Sequence, residues 1–188
     1  MKKTDCYEKR TGTKTIITER LVLRKILPAD YFSTVKWYTD PAISKFALSR
    51  KSPGRWDVFK FTFGRLIKYF NKSYYNWAIV YNGKMHGFIE LQPISNNDNA
   101  FSLRYKLDMS INGKGIMTEA LKAVIGYSKT QGFLGLIGIC DIDNIASKRV
   151  MEKSGMTECD SPETNNLIKY DDGTTSKALK YKIRFQLK

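Results

Sequence analysis

The strongest constraint on the fold is a strand, a loop with two closely spaced glycines and a helix, in that order. Alternating apolar residues over 101–107 predict the strand. The loop contains Gly113 and Gly115, and apolar residues at helical spacing follow over 117–128. The first turn of a helix has backbone N–H groups without intrahelical partners, and the helix dipole favours an anion there. Glycine lets the backbone approach that anion closely, so the segment predicts a phosphate or pyrophosphate cradle.

Other glycine motifs compete with this interpretation. The segment lacks the GxxxxGK[ST] pattern of a Walker loop. A dinucleotide-binding loop needs a third glycine and a parallel βαβ unit, and here the third glycine is absent. The remaining alternative is an ordinary turn before a helix, and two glycines alone favour that turn.

The segment before the glycines predicts an antiparallel meander. Alternating side chains over 75–81 predict a strand, and Asn82-Gly83 is typical of a type I′ hairpin turn. Met85–Leu91 predicts the returning strand, and Ser95–Asn99 predicts the next turn. The strand over 101–107 then completes three consecutive antiparallel strands.

The first third of the chain predicts an arm, a strand and two helices. Residues 1–14 are polar and charged and predict a flexible N-terminal arm, so the domain is expected to span residues 15–188. Thr15–Arg24 predicts a strand. Pro28-Ala29-Asp30 predicts one helix start, and Ser52-Pro53 a second with Ser52 as N-cap. Helically spaced apolar side chains follow and are expected in the core: Phe59, Phe63, Leu66, Ile67 and Phe70.

Length and residue usage favour one metal-free cytoplasmic domain. The 188 residues suit a single domain, and no run of 18 apolar residues predicts a membrane span. The N-terminus lacks the apolar stretch of a signal peptide. Three widely spaced cysteines fit neither a disulfide framework nor a zinc site, and His86 is the only histidine.

The formal net charge of +14 has three interpretations. It is typical of a nucleic-acid-binding protein, of a lysine-rich solvated surface, or of a field that attracts an anionic cofactor such as coenzyme A. The lysines are scattered and no nucleic-acid motif is present, so we expect neither a nucleic-acid partner nor a membrane.

The last third of the chain favours the phosphate-cradle interpretation of the glycine loop over an ordinary turn. Leu134–Cys140 predicts a short buried strand, followed by a polar loop, a short helix and Gly155 as its cap. Four motifs then occur in order along the chain. They are Thr18-Glu19-Arg20-Leu21-Val22-Leu23-Arg24, Tyr105-Lys106-Leu107-Asp108, Gly113-Lys114-Gly115-Ile116-Met117-Thr118-Glu119-Ala120 and Asn144-x-x-Ser147 with Glu152-Lys153-Ser154-Gly155-Met156.

In this order the motifs resemble the GNAT N-acetyltransferases, most closely their RimJ/RimL-like branch. The resemblance extends from about Thr15 to the C-terminus. Two departures stand out. The family pattern [QR]-x-x-G-x-[GA] begins here with Asn112 and ends with Met117, which affects a cradle of backbone groups little. Met156 replaces the usual Phe after the glycine cap and changes only packing.

The resemblance implies an α/β (mixed α+β) fold: a twisted mixed sheet of about seven strands, flanked by helices and splayed into a V that takes acetyl-CoA. The pantetheine arm is expected to pair with the strand at Leu107–Met109, and the pyrophosphate to meet the N–H groups of Gly113–Thr118. The implied cofactor-binding residues are Leu107, Asp108, Met109, Asn112, Gly113, Lys114, Gly115, Ile116, Met117, Thr118, Asn144 and Ser147.

The expected reaction is direct attack of a primary amine on the acetyl thioester. An α-amino group with a pKa of about 7.7–8.0 is roughly one-tenth neutral at pH 7, and a lysine far less, so a base must remove a proton. The tetrahedral oxyanion needs a donor, for which a strand N–H near Asp108 or Met109 is a candidate. The leaving thiolate needs a hydroxyl donor.

Ser147 matches the family serine near the sulfur and is the candidate acid; alternatively it only supports its helix start. Asn144 matches the residue that contacts the cofactor arm and also suits an N-cap. Glu90 is the candidate base, with a solvated strand residue as the alternative. Tyr105 is expected in the core, and Glu119 near the helix dipole.

The resemblance therefore implies acetyl-CoA-dependent N-acetylation by a monomer or homodimer. The acceptor is a protein N-terminal α-amine of the ribosomal-protein type or a small-molecule amine. The alternatives are a non-catalytic GNAT-like domain that binds acyl-CoA, and a basic nucleic-acid-binding protein.

Overall fold

The structure is a computed structural model that describes residues 10–94, 97–159 and 167–186. Within these residues a mixed sheet is flanked by five α-helices. The strands are β1 Ile16–Ile17, β2 Leu21–Arg24, β3 Tyr75–Tyr81, β4 Lys84–Ile94, β5 Asn97–Leu107, β6 Gly135–Asp141, β7 Thr157–Glu158, β8 Leu167–Lys169 and β9 Thr175–Arg184. The helices are α1 Asp30–Tyr38, α2 Pro41–Ser44, α3 Arg55–Lys68, α4 Ile116–Thr130 and α5 Ile145–Lys153, with a 3₁₀ turn at Met109–Ile111.

The strand order is β1-β2-β3-β4-β5-β6-β9-β7, and β8 pairs with β9. Every pairing is antiparallel except β5 with β6. The described residues contain nine strands where about seven were expected. One reason is that Thr15–Arg24 is a hairpin of β1 and β2 rather than one strand. Its turn is closed by the Thr18 N–H donating to the Leu21 carbonyl at 3.0 Å.

The sheet splays between β5 and β6, as the resemblance implies. The parallel pairing covers only Ala100–Leu103 against Gly135–Gly138. Beyond it, β5 stays paired with β4 as far as Leu107, while β6 stays paired with β9 as far as Asp141. The two strands therefore diverge as edges of a V-shaped gap.

Two apolar clusters cover the two faces of the sheet. On one face, α4 and α5 pack on side chains such as Trp77, Ile89, Phe101 and Leu103. On the other face, Trp37 of α1 and Phe61 of α3 pack on Ala78, Val80, Met85 and Phe88. Because side chains alternate along a strand, successive residues of β4 and β5 belong to different faces.

The meander is confirmed, with Asn82 and Gly83 both at positive φ (48° and 74°). The turn predicted over Ser95–Asn99 is partly wrong: residues 95 and 96 lie outside the described residues, and β5 already begins at Asn97. Strand pairing therefore overrides the turn preference of the asparagines there.

Two expectations for α3 are wrong. The helix begins at Arg55 with Gly54 rather than Ser52 as N-cap, and the Gly54 N–H donates to the Asp57 carboxylate at 3.0 Å. The helix buries a different stripe from the one expected, through Val58 and Phe61, so most of the predicted core stripe lies toward solvent.

The arm predicted over residues 1–14 can be followed only from residue 10. Thr13 is buried, and its hydroxyl donates to the Tyr74 carbonyl at 3.1 Å. The Lys14 carbonyl accepts a hydrogen bond from the Trp77 indole at 2.7 Å. Residues 10–14 are thus packed on the domain and are not a flexible arm; residues 1–9 lie outside the described residues.

Candidate functional site

The glycine loop connects the end of β5 to the start of α4. The Asp108 carboxylate caps the intervening 3₁₀ turn by accepting the Ser110 N–H at 2.9 Å. Gly113 and Gly115 have φ of 77° and 74°, and Gly115 is the N-cap of α4. This left-handed conformation is strained for residues with a Cβ, so it accounts for both glycines.

The loop has open space beside its backbone. A Cβ added at Gly113 would meet nothing within 4 Å, whereas the Ile116 and Met117 side chains are buried in the core. Only the backbone of these two helical residues therefore faces outward, and the N–H groups of a first helical turn have no intrahelical acceptor. The arrangement fits a pyrophosphate on a helix N-terminus, as was predicted for Asn112–Thr118.

An ion pair braces this loop from the β1–β2 hairpin. The Glu119 carboxylate accepts hydrogen bonds from the Thr18 hydroxyl at 2.6 Å and from the Arg20 Nε at 2.7 Å. The Arg20 guanidinium also donates to the Lys114 carbonyl at 3.0 Å. Burial would raise the pKa of Glu119, but the Thr18 and Arg20 hydrogen bonds outweigh it and lower the pKa. Sequence analysis missed this brace, although Arg20 belongs to the first quoted motif.

The exposed edge of β5 supplies backbone donors to the splay. The Asp108 N–H donates to the His86 carbonyl at 2.7 Å, so it is bonded toward β4. Backbone groups alternate in direction along an antiparallel strand, so the N–H groups of Tyr105 and Leu107 point into the gap. Among the N–H groups near Asp108 and Met109 that were candidates for the oxyanion, the Asp108 N–H already has an acceptor.

The Asp108 side chain is engaged as well. Its carboxylate lies 2.8 Å from His86 Nδ1. Burial would raise the pKa of Asp108, but the bonds to His86 and Ser110 outweigh it and hold the pKa below its usual value. Asp108 therefore positions the start of the loop through its contacts with His86 and Ser110.

Two hydroxyls and a thiol meet beside the splay. Ser147 Oγ lies 2.7 Å from Tyr105 Oη, and the Tyr105 hydroxyl also lies within hydrogen-bond distance of the Ser147 carbonyl, at 3.2 Å. Burial raises the pKa of Tyr105, and the bond to Ser147 only partly offsets this effect. Burial also raises the pKa of the nearby Cys140 thiol to about 11, against a smaller opposing effect of Ser147. These groups are therefore neutral donors near pH 7.

Asn144 is the N-cap of α5, because its amide oxygen accepts the Ser147 N–H at 3.1 Å. The Ser147 hydroxyl is not needed as the cap and is directed to Tyr105 instead. The prediction that Tyr105 lies in the core is confirmed, and its hydroxyl in addition contacts Ser147. The available signal was a tyrosine in the strand that borders the predicted splay, facing the helix that begins at Asn144.

Glu90 lies on the opposite face of the sheet. Its side chain is buried and pairs with Arg65 of α3 at 3.4 Å, so the alternative of a solvated strand residue is wrong. The neighbouring Lys106 packs its ammonium 4.8 Å from the centre of the Tyr38 ring, and burial lowers the pKa of Lys106. The side of the sheet covered by α3 thus carries a buried carboxylate, and the side covered by α5 carries the hydroxyls.

The described residues show neither a metal site nor a membrane-spanning helix. Across residues 10–94, 97–159 and 167–186, no group of three His, Cys, Asp or Glu side chains is placed to hold a metal ion. Over the same ranges, no helix is long and apolar enough to cross a membrane.

A V-shaped gap with a glycine cradle at its end is the architecture of an acyl-CoA-dependent acetyltransferase. The family model described as "Acetyltransferase (GNAT) domain" matches residues 20–157. The chain therefore belongs to the GNAT acetyltransferase family. No curated protein matches the sequence.

Solved structures share the fold at low sequence identity. An acetyltransferase of the GNAT family from Bacillus anthracis is 22% identical, with a TM-score of 0.77 over 91% of this chain and 98% of the other. RimL, a ribosomal L7/L12 alpha-N-protein acetyltransferase in complex with coenzyme A, is 19% identical, with a TM-score of 0.78 over 92% and 98%. The microcin C7 self-immunity acetyltransferase MccE, in complex with acetyl-CoA and AMP, is 17% identical, with a TM-score of 0.77 over 89% and 94%. These neighbours, all below 25% identity, share the fold of this chain.

Proposed function

We propose that the protein transfers the acetyl group of acetyl-CoA to a primary amine. The observation that carries this proposal is the gap between β5 and β6. It has backbone donors along one edge, a glycine loop at its end and a pair of hydroxyls beside it.

Acetyl-CoA would bind as a co-substrate along this gap. One of the two N–H groups at Tyr105 and Leu107 would donate to an amide carbonyl of the pantetheine arm, like an added strand, which leaves the other free for the reacting carbonyl. The backbone of Gly113–Thr118 would hold the pyrophosphate, and Asn144 and Ser147 would border the arm on the α5 side. When bound, acetyl-CoA supplies an acyl thioester.

The chain would supply proton transfer on both faces. Glu90, on the α3 side of the sheet, would take a proton from the acceptor ammonium, directly or through water, and the neutral amine would then attack. A β5 N–H in the gap would stabilise the developing oxyanion, with Tyr105 or Leu107 in place of the excluded Asp108. The Ser147 hydroxyl, bonded to Tyr105 on the α5 face, would donate to the leaving sulfur. The two proton transfers would thus occur on opposite sides of the sheet.

The acceptor would be a protein N-terminal amine or a small amine. RimL is named as an alpha-N-protein acetyltransferase of ribosomal L7/L12, and MccE is named as a microcin C7 self-immunity acetyltransferase. An α-amine is the easier nucleophile, because its pKa of about 7.7–8.0 leaves more neutral amine at pH 7 than lysine does. The net charge of +14 disfavours polycationic acceptors.

The test is release of free thiol from acetyl-CoA with a panel of N-terminal peptides, polyamines and aminoglycosides, with products detected by mass. We expect an acetylated amine and equimolar coenzyme A with at least one acceptor class. Tight binding of acetyl-CoA without turnover on any amine would instead indicate a non-catalytic acyl-CoA-binding domain. Absence of acetyl-CoA binding would refute the site itself.

A further inference from the structure

The outer side of α3 carries an apolar stripe that the acetyl-transfer site does not use. We call it the aromatic ridge. It consists of Trp56, Phe59, Phe63, Ile67 and Phe70, together with Tyr31 and Phe32 of α1. Phe70 is 90% exposed, Ile67 76%, Phe32 75% and Trp56 64%. Exposed apolar residues are common singly, but a continuous stripe marks an interaction surface.

The aromatic ridge protrudes and does not line a groove. A groove would cover the flanks of its side chains, whereas Phe70 and Ile67 are almost free of neighbours. The helix spans 14 residues, or about 20 Å, so the stripe is a narrow convex band along its length. A convex apolar band fits a soft apolar medium or the groove of another protein.

The rings of the aromatic ridge are stacked on one another. Trp56 and Phe59 are parallel within 3° at 5.0 Å, and Phe59 and Phe63 are stacked at 4.3 Å. Tyr31 meets Phe59 edge-on at 6.2 Å. Single-stranded nucleic acids bind by stacking bases on free ring faces. The ring faces of the ridge are largely occupied by neighbouring rings, and Ile67 has no ring. The ridge is therefore poorly suited to stacking nucleic-acid bases.

The flanks of the aromatic ridge are basic. The exposed cations there are Arg55, Lys60, Lys68 and Lys72, and Asp57 is the exposed acid on the same helix. Asp57 is 3.9 Å from Lys60 and offsets only one of these charges. A second copy of the chain would bring like-charged flanks together. The charge therefore favours an anionic surface as the occupant.

We propose that the aromatic ridge docks the protein on an anionic lipid surface. Protruding Trp, Phe and Ile side chains beside Lys and Arg are the pattern of a helix that lies in the membrane interface. The apolar side chains would enter the headgroup–acyl boundary while the flanking cations lie near anionic headgroups. None of the residues proposed for acetyl transfer belongs to the aromatic ridge, so the proposal does not rest on the proposed function.

The experiment uses the full chain with vesicles of phosphatidylcholine, alone or mixed with phosphatidylglycerol. Trp56 is a built-in reporter, because Trp37 and Trp77, the other two tryptophans, are buried. We expect co-sedimentation and a blue shift of tryptophan emission with the mixed vesicles, weakening as salt is raised. Absence of both with the mixed vesicles overturns the proposal.

Ile67→Ser with Phe70→Ser should lower the vesicle partition coefficient by about tenfold or more, because two exposed apolar groups are lost. Ile17→Ser, at a side chain 77% exposed on β1, is the matched control and should bind like the wild type. Equal binding by the double variant would overturn the proposal, since charge alone would then explain it. A lipid-free dimer that the double variant abolishes would identify a second copy as the occupant and overturn it as well.

Discussion

At the residue scale, the most informative contact is the one between two hydroxyls. Asn144 already caps α5, so the Ser147 hydroxyl is not required to begin the helix. It is 2.7 Å from Tyr105, on the strand that borders the splay. The structure thus separates two roles that share one helix start: a capping amide and a hydroxyl directed at the gap.

Ser147→Ala should reduce kcat by about 10²–10⁴-fold, the range for a lost proton-transfer group. A donor that acts only in the transition state lowers the barrier without tightening ground-state binding, so acetyl-CoA affinity and melting temperature should change little. Steady-state kinetics and thermal unfolding measure the two effects. Ser154→Ala, at the other end of α5, is the matched control, and its kcat should be that of the wild type. Turnover of Ser147→Ala within a few-fold of wild type would make Ser147 structural.

The Glu119 brace predicts a pH dependence of stability. Its pKa is lower in the folded chain than in the unfolded chain, so its stabilisation is full above the unfolded pKa of about 4.3. The stabilisation is lost as pH falls through the lower folded pKa. Glu119→Gln should therefore lower the free energy of unfolding at pH 7 by about 1–2 kcal/mol, and by less near pH 3.

Urea unfolding at both pH values measures this difference. Asp171→Asn is a suitable control, because it replaces an exposed carboxylate on a turn outside the Glu119 contacts. If Glu119→Gln and the wild type showed the same pH dependence, the contacts of Glu119 with Thr18 and Arg20 would contribute nothing to stability.

At the element scale, the function of α4 is concentrated at its first turn. The helix buries one face against β3, β4 and β5, and its N-terminus opens on the glycine loop. The β1–β2 hairpin holds that turn through Arg20 and Glu119. The cradle is thus assembled by the glycine loop, the helix that directly follows it and a hairpin that is distant in sequence.

Gly115→Asp should abolish acetyl-CoA binding. It places a carboxylate at the cradle and adds a Cβ where φ is 74°, with the Arg20 guanidinium 3.6 Å away. Gly126→Asp, on the same helix and with open space around it, is the matched control. Calorimetric titration with acetyl-CoA compares the two. Normal binding by a folded Gly115→Asp variant would show that the cradle lies elsewhere.

At the scale of the whole molecule, the site is the gap that opens where two halves of one sheet separate. One half, β1 to β5, carries α1 and α3; the other, β6 with β9 and β7, carries α5. Loop contacts also join the halves on the α3 side, where Arg50 stacks 3.6 Å from the Tyr170 ring and the Asp171 N–H donates to the Leu48 carbonyl. A ligand in the gap would add further contacts to both halves.

Acetyl-CoA should therefore raise the melting temperature. At a concentration of about 100 times Kd, a ligand that binds only the folded chain adds about 2.7 kcal/mol. For a chain of this size the shift is about 5–10 °C. Differential scanning calorimetry measures it, with AMP as a control ligand that lacks the pantetheine arm. An unchanged melting temperature at saturating acetyl-CoA would refute the proposed cofactor site.

The sequence by itself determined the elements whose signals are local. Period-two alternation located β3, β4 and most of β5, Asn82-Gly83 specified their hairpin, and Gly113 and Gly115 marked the loop before α4. These features depend on backbone preferences and on burial of one face, which neighbouring residues determine. The ordered motifs then indicated the family, which the family match confirms.

Only the tertiary structure decided what depends on residues far apart in sequence. Helical spacing showed that α3 has an apolar stripe, but only packing revealed that Phe61 faces the sheet while Ile67 and Phe70 face solvent. Likewise, a sequence cannot show that the Asp108 N–H is already bonded, or that Tyr105 meets Ser147 across the gap. Periodicity predicts that side chains share a face; which neighbour covers that face is decided by the assembled sheet.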